Sequence, residues 1–120
     1  LIRTLSTQLV RSMGAEIDLL IDVGYPSVYN NEKLHELAKQ KAEIFIGASN
    51  VEETEPRMGA EDFGYYTQLI PGCFYRLGVM NIEKGIVSGV HTPTFNIDES
   101  AIEIGMGMMA WLGVSAEQEK

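Results

Sequence analysis

The 120-residue sequence predicts an α/β domain layered around a partly parallel sheet. Three observations carry that expectation. Beyond residue 30 the patterns run helix, short strand, helix, strand, helix. The stretch Cys73-Phe74-Tyr75-Arg76-Leu77-Gly78-Val79 shows little alternation, the character of a strand covered on both faces. Ala101 to Leu112 is apolar almost all round, which predicts a buried helix.

Taken in order, Ile2, Leu5, Leu9 and Met13 recur at helical spacing, and Gly14 is a C-terminal stop. Ile17, Leu19, Ile21, Val23 and Tyr25 then alternate with Glu16, Asp18, Leu20, Asp22 and Gly24, the period of a strand with one buried face. Tyr25-Pro26-Ser27-Val28-Tyr29-Asn30 changes character abruptly, and a domain boundary is expected there. Asn30 or Asn31 can cap a helix running to about Phe45, with Leu34, Leu37, Ala38 and the stem of Lys41 inward and His35 solvated off that stripe. Gly47 to Asn50 is a turn, Val51 to Thr54 a short strand, and Glu52, Glu53 and Glu55 a solvated acidic cluster. Pro56 to Tyr66 reads as a loop feeding a helix that ends at Pro71-Gly72, with Glu61 and Asp62 at the helix start. After the 73–79 run, Asn81 to Gly85 is turn-like. Asp98 and Ser100 are both N-cap candidates, and Ser100 with Glu103 fits a capping box. Gly105 and Gly107 sacrifice helix propensity where a neighbouring backbone would approach closely, and Ser115 to Lys120 reads as a frayed polar end.

Composition narrows the function classes. The net charge is −8, with no basic cluster beyond Lys39 and Lys41, which disfavours nucleic acid and anionic membranes as partners. No apolar run approaches the roughly 20 residues of a spanning helix, and the amino end lacks signal-peptide character. A single cysteine, Cys73, allows no internal disulfide, fits a cytoplasmic protein, and in its apolar surroundings reads as core filler.

The residue singled out by its setting is His91. In Gly89-Val90-His91-Thr92-Pro93-Thr94-Phe95 the Thr92-Pro93 pair excludes a helix, so a loop presents the imidazole in front of the apolar helix. His91, His35, Cys73 and the carboxylates fall in no recognisable metal-ligand spacing, and there is no nucleophile elbow or phosphate loop.

Met58-Gly59-Ala60-Glu61-Asp62-Phe63, Tyr65-Tyr66, Pro71-Gly72-Cys73-Phe74, Leu77-Gly78, His91-Thr92-Pro93-Thr94-Phe95, Asp98-Glu99 and Ile104-Gly105, taken together, resemble the carboxy-terminal part of the M20 family of metal-dependent peptidases and amidohydrolases. The aminoacylase, hippurate hydrolase and indole-acetyl-amino-acid hydrolase branch is the most similar. The resemblance implies a layered zinc-exopeptidase-like catalytic domain over 26–120, preceded over 1–25 by the last helix and strand of a ferredoxin-like lid. It implies a hydrolase that cleaves the amide of N-acyl amino acids or small peptides with one or two divalent ions, Zn or Mn. His91 matches the family's last metal ligand. Gly59, Ala60 and Glu61 match a loop bordering the substrate, where Gly59 allows close backbone approach and Glu61 and Asp62 order the loop. The family's other ligands and its general-base glutamate have no counterpart here, so this chain alone is expected to be inactive. The open edges of Ile17 to Val23 suggest homodimer formation. The alternative reading is a non-catalytic, stand-alone binding or dimerisation module on the same scaffold. Under a third, His91 decorates the surface of a small unrelated α/β domain.

Overall fold

Asn31 opens the first helix to pack on another: its side chain accepts the Leu34 N–H at 3.2 Å, capping α2, Glu32–Ile46. The structure, a computed structural model, describes residues 1–117. Helix α1, Ile2–Ser12, precedes α2 and ends as expected on Gly14, whose positive φ of 72° suits glycine. A single 3-10 turn, Ala48–Asn50, follows α2; α3 is the short helix Phe63–Thr67 and α4 is Ser100–Glu117.

Helices α2 and α4 pack side by side, and the glycines of α4 make this possible. A Cβ on Gly107 would lie 2.7 Å from Phe45 Cζ, and one on Gly105 would lie 2.8 Å from Leu77 Cδ2. The close approach expected at these glycines is therefore to side chains, not to a backbone. Phe45 also stacks on Trp111 with centroids 6.5 Å apart, and the Trp111 indole N–H donates to the Lys41 carbonyl at 3.0 Å.

A second cluster surrounds α3. Its start is fixed by Glu61, whose carboxylate accepts the Phe63 N–H at 3.4 Å while its carbonyl accepts the Gly64 N–H. Phe63 packs on Phe74 and Tyr66, and Tyr65 meets Tyr25 edge-on at 5.7 Å. Gly64 is buried against the Pro26 carbonyl. The Asn30 amide serves both backbone groups of Phe74, accepting its N–H at 2.7 Å and donating to its carbonyl at 2.9 Å. One side chain thus does locally what a neighbouring strand would do.

The expected strands do not form ladders among the described residues. Among the described residues the β-pairing is one isolated antiparallel bridge, Asn81 with Ile86, closing the turn expected there. Segments 17–23, 51–54 and 73–79 carry no strand assignment. A strand needs a partner's backbone to complete its hydrogen bonds, and among the described residues these segments share no ladder. Val23 and Tyr25, on the face expected to be buried, are consequently 87% and 57% exposed. Helix α1 packs on no other described helix, and Arg3 donates to the Leu19 carbonyl to hold the following segment beside it.

Four further expectations are corrected. Helix α4 is buried on one stripe, Ala101, Met108 and Ser115 at seven-residue intervals, while Met106 and Met109 face solvent because nothing among the described residues covers them. Ser115 is therefore in the helix and not in a frayed end; the expected fraying of 118–120 lies outside the described residues. Ser100 and Glu103 form no capping box, because Ser100 is already helical and its N–H is taken by the Asp98 carboxylate. Helix α3 stops at Thr67, several residues before Pro71-Gly72, with turn bonds from Leu69 and Ile70 to the Tyr66 carbonyl.

The radius of gyration is 20.8 Å, against about 14 Å for a compact domain of this length. The accessible surface is 10299 Å², against about 6,500 Å² for a compact monomer of 13.3 kDa. Much of the apolar surface that the sequence encodes is thus left uncovered within these residues.

Candidate functional site

His91 sits at the tip of a loop and has φ of 64°, the single positive φ at a non-glycine among the described residues. Histidine tolerates the left-handed region better than β-branched residues do, yet it adopts it at a cost that surrounding contacts must hold in place. Those contacts come from hydroxyls on either side. Ser88 Oγ and Thr94 Oγ1 are 2.8 Å apart across the base of the loop. Thr92 Oγ1 donates to the Gly89 carbonyl at 2.8 Å, and the Phe95 N–H donates to the Thr92 carbonyl at 3.1 Å. The imidazole is exposed and makes no hydrogen bond within the described residues, so its ring nitrogens are available to a ligand.

The loop is anchored at both ends through Asp98, which is buried at 8% exposure. Its carboxylate accepts from Lys84 Nζ at 2.8 Å, from the Asn81 amide and from the Ser100 N–H at 3.2 Å. The Asp98 N–H donates to the Val79 carbonyl at 2.9 Å. The Lys84 ammonium first, then the Asn81 amide and the Ser100 N–H, hold the Asp98 carboxyl well below the usual carboxylate range. One carboxylate therefore ties the 81–86 turn to the start of α4. Sequence reasoning saw Asp98 only as a cap and missed the clasping role of Ser88, Thr92 and Thr94. Hydroxyl residues at −3, +1 and +3 from the histidine were the available signal.

The Gly59-Ala60-Glu61 turn is a separate feature. Gly59 and Ala60 are exposed, Gly59 has open space around its Cα, and Glu61 is engaged at the start of α3. Among the described residues no hydrogen bond or ion pair joins this turn to the His91 loop.

A cavity of about 400 Å³ lies between α2, α4 and the segments 51–54 and 73–77. Ala38, Ala42, Phe74, Leu77, Ile104 and Met108 give it apolar walls. His35 also lines it, half-buried and not solvated as expected, because α2 is covered over a wider arc than the Leu34, Leu37, Ala38 and Lys41 stripe. Cys73 is half-buried in the same wall, and burial pushes its thiol pKa up, which suits packing and not nucleophilic attack. At the rim Lys39 pairs with Glu53, so the acidic cluster is partly neutralised.

The model of the peptidase family M20/M25/M40 matches residues 5–112. The chain belongs to this family. The M20/M25/M40 chain is 36% identical over 86 residues to IAA-amino acid hydrolase ILR1-like 6 of Arabidopsis thaliana, an alignment covering 72% of this chain and 18% of the plant protein. It is 36% identical over 99 residues to thermostable carboxypeptidase 1 of Saccharolobus solfataricus, covering 82% of this chain and 24% of that protein. With the putative amidohydrolase YhaA of Bacillus subtilis it shares 30% identity over 105 residues, covering 88% of this chain and 26% of that protein. The chain thus spans about a fifth to a quarter of the length of these relatives. No solved structure gives a significant match. Membership of the family fits a zinc-exopeptidase-like fold, of which the described residues form a small, partly helical piece.

Peptidases of this family are generally metal-dependent. Among the described residues no three His, Cys, Asp or Glu side chains converge as a metal site would require. An exposed, unengaged imidazole on a clasped loop could occupy one coordination position of a divalent ion. No described helix is long and apolar enough to cross a membrane.

Proposed function

We propose that the complete protein carrying this chain is a metal-dependent hydrolase that cleaves the amide bond of N-acyl amino acids or small peptides. In this reading 26–120 form the carboxy-terminal part of the catalytic domain and 1–25 the end of a lid domain. His91 supplies one ligand to a divalent ion, zinc or manganese, and the Gly59-Ala60-Glu61 turn borders the substrate. Family membership supports the hydrolase, and relatives named as an amino acid conjugate hydrolase and a carboxypeptidase support the amide substrate. The single observation that carries the site is His91, held in the left-handed region with its ring exposed and unengaged.

When bound, such an ion polarises the amide carbonyl and acidifies a water. This chain's own part is to present a neutral imidazole nitrogen from a fixed backbone position. With one donor and no general base in the expected place, the 120-residue chain alone is inactive. The test is His91→Ala in the complete protein. Metal content measured by elemental analysis, and hydrolysis of an N-acyl amino acid, both fall if the reading is right. Unchanged values for both overturn it.

A further inference from the structure

We infer that the Ser88–Thr94 hydroxyl pair is a positioning device for His91, a clasp that holds the left-handed backbone from which the imidazole reaches its metal. The inference rests on the reading of His91 as a ligand. It begins from a local imbalance. A histidine at φ 64° is held against its own preference, and such conformations persist only where the surroundings over-determine them. Among the described residues the surroundings are sparse, because residues 89 to 96 are exposed.

What remains is a short set of hydrogen bonds. The Thr92 hydroxyl to Gly89 carbonyl bond and the Phe95 N–H to Thr92 carbonyl bond each close one part of the loop, at 2.8 and 3.1 Å. The Ser88–Thr94 contact at 2.8 Å is the one that spans it, joining positions three before and three after His91 by side chains alone. Below it Asp98 ties the 81–86 turn, which precedes the loop, to the start of α4, which follows it, so the clasp works between anchored segments. Without it the loop keeps its ends but loses the cross-tie, and the backbone at residue 91 relaxes toward negative φ. That rotation moves the ring away from a metal held by other parts of the protein. Neither hydroxyl touches the metal or the substrate in this account; both act through His91.

The experiment uses the complete protein, stripped of metal and titrated with Co²⁺ against a competing chelator, with the visible ligand-field spectrum recorded at saturation. Thr94→Val removes the hydroxyl at nearly constant shape, Ser88→Ala removes its partner, and Thr94→Ser restores the hydroxyl. Thr94→Val and Ser88→Ala should each weaken Co²⁺ binding roughly three- to tenfold, the range of one net hydrogen bond, and alter the spectrum. The double variant should lose no more than either single, since one bond is removed in all three. Thr94→Ser should bind and absorb as the wild type does, with the wild-type urea unfolding midpoint. Wild-type binding by Thr94→Val, or Thr94→Ser as weak as Thr94→Val, overturns the clasp. His91→Ala separates this from the underlying reading: if it weakens Co²⁺ binding while Thr94→Val does not, the clasp alone fails. If His91→Ala binds Co²⁺ normally, the ligand reading fails and the clasp with it.

Discussion

Replacing Gly64 by alanine tests whether α3 is docked as described, because two effects of opposite sign meet at that position. Gly64 lies inside a five-residue helix, where alanine should be favoured by about 1 kcal/mol on propensity alone. Yet an added Cβ would lie 2.4 Å from the Pro26 carbonyl oxygen, with the Pro26 carbonyl carbon and ring at 3.2 and 3.3 Å. Real contacts stop near 3.0 Å, so the carbonyl or the helix must retreat by at least about 0.6 Å. Proline has little freedom in φ with which to absorb that shift, and Tyr25 before it is engaged edge-on with Tyr65. Overpacking against backbone costs about 2–3 kcal/mol, which leaves a net loss of about 1–2 kcal/mol after the propensity gain. Urea unfolding of the complete protein followed by circular dichroism reads this as a lowered midpoint at an unchanged slope. A Gly64→Ala protein with the wild-type midpoint, or a higher one, would show that propensity wins and that the Pro26 contact is not as tight as described.

Two further substitutions test the ties around the site. Asn30→Ala removes the partner of both backbone groups of Phe74 and is expected to destabilise the complete protein by about 1–3 kcal/mol in the same assay; no loss would mean that another group satisfies Phe74. Asp98 carries a pH dependence whose sign is fixed by its lowered pKa. Its stabilising effect is fully present above the ordinary carboxylate value near 4 and is lost as pH falls toward the lower folded value. Asp98→Asn should therefore lower stability at neutral pH and flatten its decline below about pH 4, measured as urea midpoints across pH. An acid limb as steep as that of the wild type would refute Asp98 as a source of that dependence.

The helices were legible because each has local causes. Asn31 before Glu32 and Gly14 after Ser12 mark their ends by cap chemistry and backbone freedom, which need no distant partner. The notches at Gly105 and Gly107 were visible as lost propensity, although the identity of their occupants, Leu77 and Phe45, was not. The strands were legible as pattern but did not form, since period-two alternation at 17–23 records a face meant for burial and cannot supply the neighbour that buries it. His35 shows the same limit on a helix: its place beside the cavity depends on how many elements cover α2, which spacing along one helix does not encode. For the site, Thr92-Pro93 was enough to place His91 in a loop, while the hydroxyl clasp and the Asp98 hub required knowing that residues 81, 84 and 98 meet.

By itself the sequence determined the family, the positions of α1, α2 and α4, and the presentation of one histidine from a loop, all of which rest on short-range chemistry or on a matched order of motifs. Tertiary structure alone decided that His91 takes a positive φ, that two hydroxyls cross-tie its loop, and that Asp98 is a buried anchor and not merely a cap. It also decided that the strand-like segments stay unpaired within these residues. The physical reason is common to all four. A cap or a turn is settled by residues a few positions apart, whereas a strained backbone, a charge hub and a sheet depend on groups that are brought together only when the chain folds.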